Sequence, residues 1–239
     1  MNKPDIIVSW PNNCDYPLWR QFIRENRSRF NLVIIVFTET NQTPDYRQFV
    51  REAMHDDYIL FIDNPPIESG KDWRDVAVKQ ALIHSFNAEW VWFTEQDFIV
   101  ENDHFWQTVE DYQKEYKAFG TMDRARLHPC NLFVKRDLLN WLNKNFGANP
   151  PYYDHFGYIQ QQLEANKTSI GIMPDNEFLH LNGLSHNWRL MSEGGKPNYY
   201  PEVFNKWLID CLKVSVPLNE EWVAVAKAYL ARENIEITA

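Results

Sequence analysis

The chain has 239 residues and a formal net charge of −9, enough length for one large domain and an acid excess that argues against a general nucleic-acid-binding surface. Its cysteines, Cys14, Cys130 and Cys211, are odd in number and far apart, which argues against a disulfide framework or a zinc cluster and fits a reducing compartment. The apolar run Ile6-Ile7-Val8 is too short for a signal peptide and no run approaches a membrane span, so a soluble cytoplasmic protein is expected.

Asp5 to Trp10 is predicted as a first buried strand, stopped by Pro11-Asn12-Asn13. Tyr16 to Phe30 is predicted helical, with Pro17 in its first turn. Leu32 to Thr38 follows as a second strand, Asp45 to Met54 as a helix, and Tyr58 to Ile62 as a third strand ending at Asp63-Asn64-Pro65-Pro66. Asp72 to Phe86 carries Val76, Ala77, Leu82 and Ile83 at helical spacing. Trp90 to Thr94 is the fourth strand, and Asp103 to Tyr116 a helix with Asp103 as its N-cap. This alternation is the pattern of an α/β fold with a mostly parallel central sheet and helices on both faces.

The second half is less regular. Short strands are expected at Ala118 to Thr121 and Leu132 to Val134, helices at Leu138 to Asn145 and Phe156 to Ala165, and short apolar segments at Ser169 to Met173 and Phe178 to Leu181. Val203 to Val214 and Glu220 to Arg232 close the chain as amphipathic helices. No repeat or Gly/Ser-rich linker interrupts residues 1–239, which are taken as a single domain.

The most informative stretch is Glu89-Trp90-Val91-Trp92-Phe93-Thr94-Glu95-Gln96-Asp97-Phe98, an aromatic and β-branched run that ends in two acids one residue apart. Open α/β sheets bind ligands beyond the carboxyl ends of their strands. Side chains two apart on an extended segment point the same way, so Glu95 and Asp97 can hold one divalent cation. The bland alternative is a solvated strand end. Neither Gly-x-Gly-x-x-Gly nor a Walker-type loop occurs, so phosphates would have to be held by a metal and side chains. Aromatic content is high, with 10 Trp, 11 Tyr and 15 Phe, and some of it is expected to line a site because flat rings suit sugars and bases.

The strand layout, the acid-x-acid at the fourth strand end and the preceding Lys71-Asp72-Trp73-Arg74-Asp75 together resemble the GT-A-type glycosyltransferases, with family 2-like members as the pattern. Here the motif is Glu95-Gln96-Asp97 in place of the usual Asp-x-Asp, and Asp97 is the stronger metal ligand. The resemblance covers about residues 5–190. It implies a GT-A-like, Rossmann-like fold, with a nucleotide-sugar-binding half over about residues 1–100, an acceptor half over about 101–190, and C-terminal helices over 200–235. It implies donor contacts from Ser9, Trp10, Thr38, Glu39, Asp63, Asp72, Asp75 and Gln96. It implies Mn²⁺ or Mg²⁺ held by Glu95 and Asp97 with His180 or His186, a uridine diphosphate sugar as the favoured donor, and Asp154 as the base of an inverting transfer. Each residue also has a structural reading. Asp154 suits an N-cap, His180 a core histidine, Asp63 a turn and Asp75 a helix start.

Arg20, Arg24 and Arg27 are spaced four and three apart, a single helical stripe with Arg29 close by. It is either a solvated face or a phosphate track for a polyanionic acceptor, extended by Arg124, Arg126 and His128. The expected function is therefore a metal-dependent glycosyltransferase acting on a glycan, a small molecule or DNA. A DNA-modifying transferase acting on hydroxymethylated bases, a nucleotidyltransferase and a catalytically inactive sugar- or partner-binding module are the alternatives.

Overall fold

A computed structural model describes residues 1–10, 13–37, 42–63, 83–85, 87–100, 104–123, 126–139, 164–165, 167–174, 178–181 and 183–237. Among these, strands β1 (Asp5–Trp10), β2 (Val33–Phe37), β3 (Ile59–Asp63), β4 (Trp90–Thr94), β6 (Ala118–Asp123), β7 (Arg126–Lys135) and β8 (Ile170–Ile172) form one sheet in the order β3-β2-β1-β4-β7-β6-β8. β7 alone runs against the others. A second, two-stranded sheet pairs β5 (Phe98–Val100) with β9 (Phe178–His180).

The alternation along the central strands feeds two cores. Ile6, Val8, Trp10, Val33, Ile35, Phe37, Trp90 and Trp92 face one side, and Ile7, Ile34, Val36, Val91 and Phe93 the other. A strand buried on both faces has to be apolar throughout, as a parallel sheet between layers requires. Helices α1 (Pro17–Glu25), α2 (Pro44–Ala53), α3 (His104–Glu115), α4 (Leu184–Ser192), α5 (Pro201–Cys211) and α6 (Glu220–Arg232) contribute to the first core. The second receives Leu138 and Leu139 from the helical turn after β7. Trp92 centres the larger core, stacked on Phe133 with ring centroids 4.9 Å apart and edge-on to Phe98 and Trp106.

Local chemistry explains the helix boundaries. α1, α2 and α5 each open on a proline, which needs no N–H partner there. Thr43 caps α2 by accepting from the Tyr46 N–H, and Asn219 caps α6 by accepting from that of Trp222. The helix expected to reach Phe30 stops at Glu25, because Asn26 turns its amide back onto the Phe22 carbonyl and a 3-10 turn, Arg27–Arg29, follows. β7 is longer than the expected Leu132 to Val134 and runs through Pro129. The β6–β7 register shifts between Gly120 and Met122, the kind of irregularity at which a missing strand donor is tolerated. The helix expected over Asp72 to Phe86 lies mostly outside the described residues, as do most of Leu138 to Asn145 and of Phe156 to Ala165, and the Asp103 cap.

A buried ion pair ties the loop after β1 to the C-terminal region. Arg20 donates from Nε and Nη2 to the two Asp15 oxygens at 2.9 and 2.8 Å, and Nη2 also donates to the Pro217 carbonyl at 2.6 Å. Neither residue is more than 2% exposed. Beside it, Trp10 donates to Tyr46 Oη, which donates to the Cys14 carbonyl. Burial, reinforced by the Asp15 charge, pushes the Cys14 thiol and the Tyr46 phenol well above their ordinary values, so both stay protonated. Arg20→Ala strands a buried carboxylate and is expected to cost about 3–5 kcal/mol, read as the loss in urea unfolding free energy. Replacing both members with apolar residues of similar volume is expected to cost much less.

Candidate active site

The register of the parallel strands brings their carboxyl ends to one level. Trp10 pairs with Phe37, Phe37 with Asp63, and Val8 with Thr94. The expected donor contacts therefore share one edge, and their side chains separate on it. The Trp10 indole is wholly buried in the core, and its carbonyl accepts from Gln42 Nε2 at 2.6 Å. Ser9 is 4% exposed, and its hydroxyl has no hydrogen-bond partner among the described residues. Asp63 stands exposed at the end of β3, with Arg51 at 2.5 Å on one oxygen and Arg47 at 3.4 Å on the other. Both guanidiniums lie over Phe37, so a ligand of Asp63 meets a carboxylate already charge-matched. Thr38, Glu39, Asp72, Asp75 and Asp154 lie outside the described residues.

After β4 the chain turns at once, with the Phe98 N–H on the Glu95 carbonyl at 3.3 Å. Gln96, buried at 5%, points its amide nitrogen inward to the Ser9 carbonyl. The middle residue of the acid-x-acid is thus a staple onto β1, and its amide serves Ser9. Glu95 and Asp97 on either side are half-buried. Replacing Gln96 with alanine leaves a buried carbonyl without this donor. A loss of about 1–3 kcal/mol in unfolding free energy is expected, measured by denaturant titration.

β5 then begins, and it runs antiparallel to β9, with Phe98 opposite His180 and Val100 opposite Phe178. The Leu181 N–H donates to the Asp97 carbonyl at 2.9 Å. Residues 97 and 180–181, far apart in sequence, are therefore backbone neighbours at the carboxyl edge of the sheet. The His180 side chain lies outside the described part of the structure. His186 sits on α4, with Nδ1 3.3 Å from Arg189 Nη2 and its ring edge-on to Tyr199. With Nδ1 facing the guanidinium, Nε2 is the ring nitrogen left to meet a ligand. Among the described residues no three His, Cys, Asp or Glu side chains gather as a metal cluster.

The arginine stripe is not a track. Arg20 is buried in the Asp15 pair. Arg24 donates to Ser215 Oγ at 2.7 Å, Arg27 lies over the Tyr58 ring at 4.0 Å and Arg29 over Trp106 at 5.6 Å. Tyr58 precedes the first residue of β3, so the stripe leads toward the amino edge, a strand length or roughly 16 Å from Asp63. This arrangement of Arg20, Arg24, Arg27 and Arg29 gives a DNA acceptor no support. Arg126 and His128 are described by their backbone within β7, and Arg124 lies outside the described residues. No helix among the described residues is long and apolar enough to cross a membrane.

No protein-family model and no curated protein matches the sequence. Solved structures do. S. aureus TarS (residues 1–349) is 15% identical, with 97% of this chain matched to 71% of that one at a TM-score of 0.51. The galactosyltransferase LgtC, solved with donor and acceptor sugar analogues, is 12% identical, with 92% matched to 99% at 0.52. A Bacillus anthracis protein described as a glucose-1-phosphate thymidylyltransferase is 7% identical, with 72% matched to 87% at 0.50. The fold is that of the GT-A-type glycosyltransferases. In this GT-A-type fold the acid turn closes the fourth strand, and β9 returns beside it. Sequence reading named both segments but missed β5 between them, because three residues carry too little periodicity. It also missed Gln42 and Asn187, polar residues whose burial has no local signal.

Proposed function

We propose that the protein is a metal-dependent glycosyltransferase that moves a sugar from a nucleotide-sugar to an acceptor hydroxyl with inversion. The observation that supports this most is the β5–β9 ladder, which sets the backbone of residues 180–181 against Asp97 at the carboxyl edge of the sheet. Carboxylates and an imidazole suit Mn²⁺ or Mg²⁺. In this reading Asp97 and His180 are the ligands, with Glu95 acting directly or through water. When bound, such a cation supplies charge neutralisation for the departing diphosphate. The strand ends at Ser9, Thr38-Glu39 and Asp63, with Asp72 and Asp75, orient the nucleotide, for which a uridine diphosphate sugar is the favoured form. Asp154 accepts the proton from the acceptor hydroxyl as its oxygen attacks the anomeric carbon.

Asp97→Ala is expected to abolish transfer and the Mn²⁺-dependent rise in melting temperature that a nucleoside diphosphate produces, while the circular dichroism spectrum is retained. Unchanged turnover in that variant would remove the premise. Product analysis also separates the related reaction of the thymidylyltransferase-like neighbour: a nucleotidyltransferase releases pyrophosphate, and a glycosyltransferase releases nucleoside diphosphate.

Asp154→Asn keeps shape and capping ability but cannot take a proton. Transfer is expected to fall by about 10²–10⁴ with donor affinity little changed, as measured by initial rates and donor titration. Full turnover would reduce Asp154 to a cap.

A further inference from the structure

Two exposed tyrosines, Tyr199 and Tyr200, lie a short chain path from the acid turn. They are 48% and 66% exposed, and three features define the Tyr199 ring and the backbone that carries both. Asn187, itself 1% exposed, donates from Nδ2 to the Tyr199 carbonyl at 2.5 Å and accepts on Oδ1 from the Asn198 and Tyr199 N–H groups at 3.1 Å each. The Tyr199 ring lies on Gly183, whose φ is +77° and where a Cβ would come within 3.0 Å of it. Tyr200 holds φ +43° and ψ 60°, a left-handed conformation that bulky residues rarely adopt and that persists only where the surroundings dictate it. Pro201 follows at once and opens α5.

This shelf is connected to the acid turn. Leu181 bonds Asp97, and Gly183, two residues on, carries the Tyr199 ring. At about 3.8 Å per Cα step, the path spans roughly 10–15 Å, the reach of a short saccharide. The chemistry also favours a sugar. Phenol rings offer rigid apolar faces with a polar rim at low entropic cost. His186, edge-on to Tyr199 at 5.1 Å, adds a ring nitrogen that can hydrogen-bond a hydroxyl. The adjacent exposed Glu202 and the net charge of −9 disfavour a polyanion.

We propose that Tyr199 and Tyr200 are the acceptor platform and that the acceptor is a neutral saccharide stacked on their faces, an inference that rests on the glycosyltransferase reading. Saturation-transfer NMR on the full chain, with lactose, cellobiose and chitobiose as probes, tests it. At least one probe is expected to receive saturation on its ring C–H protons. Tyr199→Phe/Tyr200→Phe keeps the transfer, and Tyr199→Ala/Tyr200→Ala weakens binding about tenfold or more. Melting temperatures establish that the variants fold. If the double alanine variant does not, Tyr200→Ala, altering the more exposed ring, carries the same expectation. Binding of no probe, or undiminished binding by the folded alanine variant, overturns the proposal. So does a concentration-dependent dimer that the alanine change abolishes, which would make the shelf a protein contact. Nucleoside diphosphate release from nucleotide-sugars by the parent chain separates the two layers. Release without saccharide binding sinks the platform alone, and no release from any donor sinks the transferase reading beneath it.

Discussion

Burying a charge is expensive, and the Asp15–Arg20 pair shows where this fold spends that cost. Each of the two Asp15 oxygens accepts from the guanidinium, and the guanidinium also reaches the Pro217 carbonyl in the segment between α5 and α6. An ion pair stripped of water is stable only when its charges stay matched at hydrogen-bonding distance. Geometry of that kind requires the loop after β1, the start of α1 and the approach to α6 to be in register together. The same loop carries Cys14, whose carbonyl receives both Trp10 and Tyr46. The end of β1, one wall of the crevice, is thus held from beneath by a polar network with little freedom to shift.

The acid turn depends on the same strand. Gln96 reaches under it to Ser9, so the position of Asp97 is set by β1 as well as by the end of β4. On its other side the turn is fixed by Leu181. The diphosphate site proposed here would gain from being built this way, since preorganised groups need not be reordered when charge develops. The platform proposed at Tyr199 and Tyr200 shares the principle, with Asn187 taking the part that Gln96 takes at the acids.

Much of the sheet was legible because its signal is local. β1, β4 and α6 have the bounds their apolar patterns predict. A short run that is apolar throughout is enough to say that both faces are covered. The acid-x-acid was legible for the same reason, since it stands where an apolar run stops. The arginine stripe misled because helical spacing identifies a face without saying what that face meets. Arg20 lies on the buried side with Trp19 and Ile23, and only the neighbouring carboxylate makes that tolerable. His186 drew notice as a histidine near a strand end, and its orientation was settled by Arg189 and Tyr199 around it.

The sequence by itself determined the first four strands of the main sheet, that they pair in parallel under helices, and that two carboxylates stand at the end of the fourth. Those properties follow from periodicity and from the abrupt change of polarity at Glu95, which are written in neighbouring residues. Only the tertiary structure decided that Gln96 serves Ser9, that Arg20 is interior, and that the backbone of His180 lies opposite Phe98. Each of these requires a partner distant along the chain or a buried environment made by several elements at once. Ladder register and burial are properties of contacts, and no local pattern encodes them.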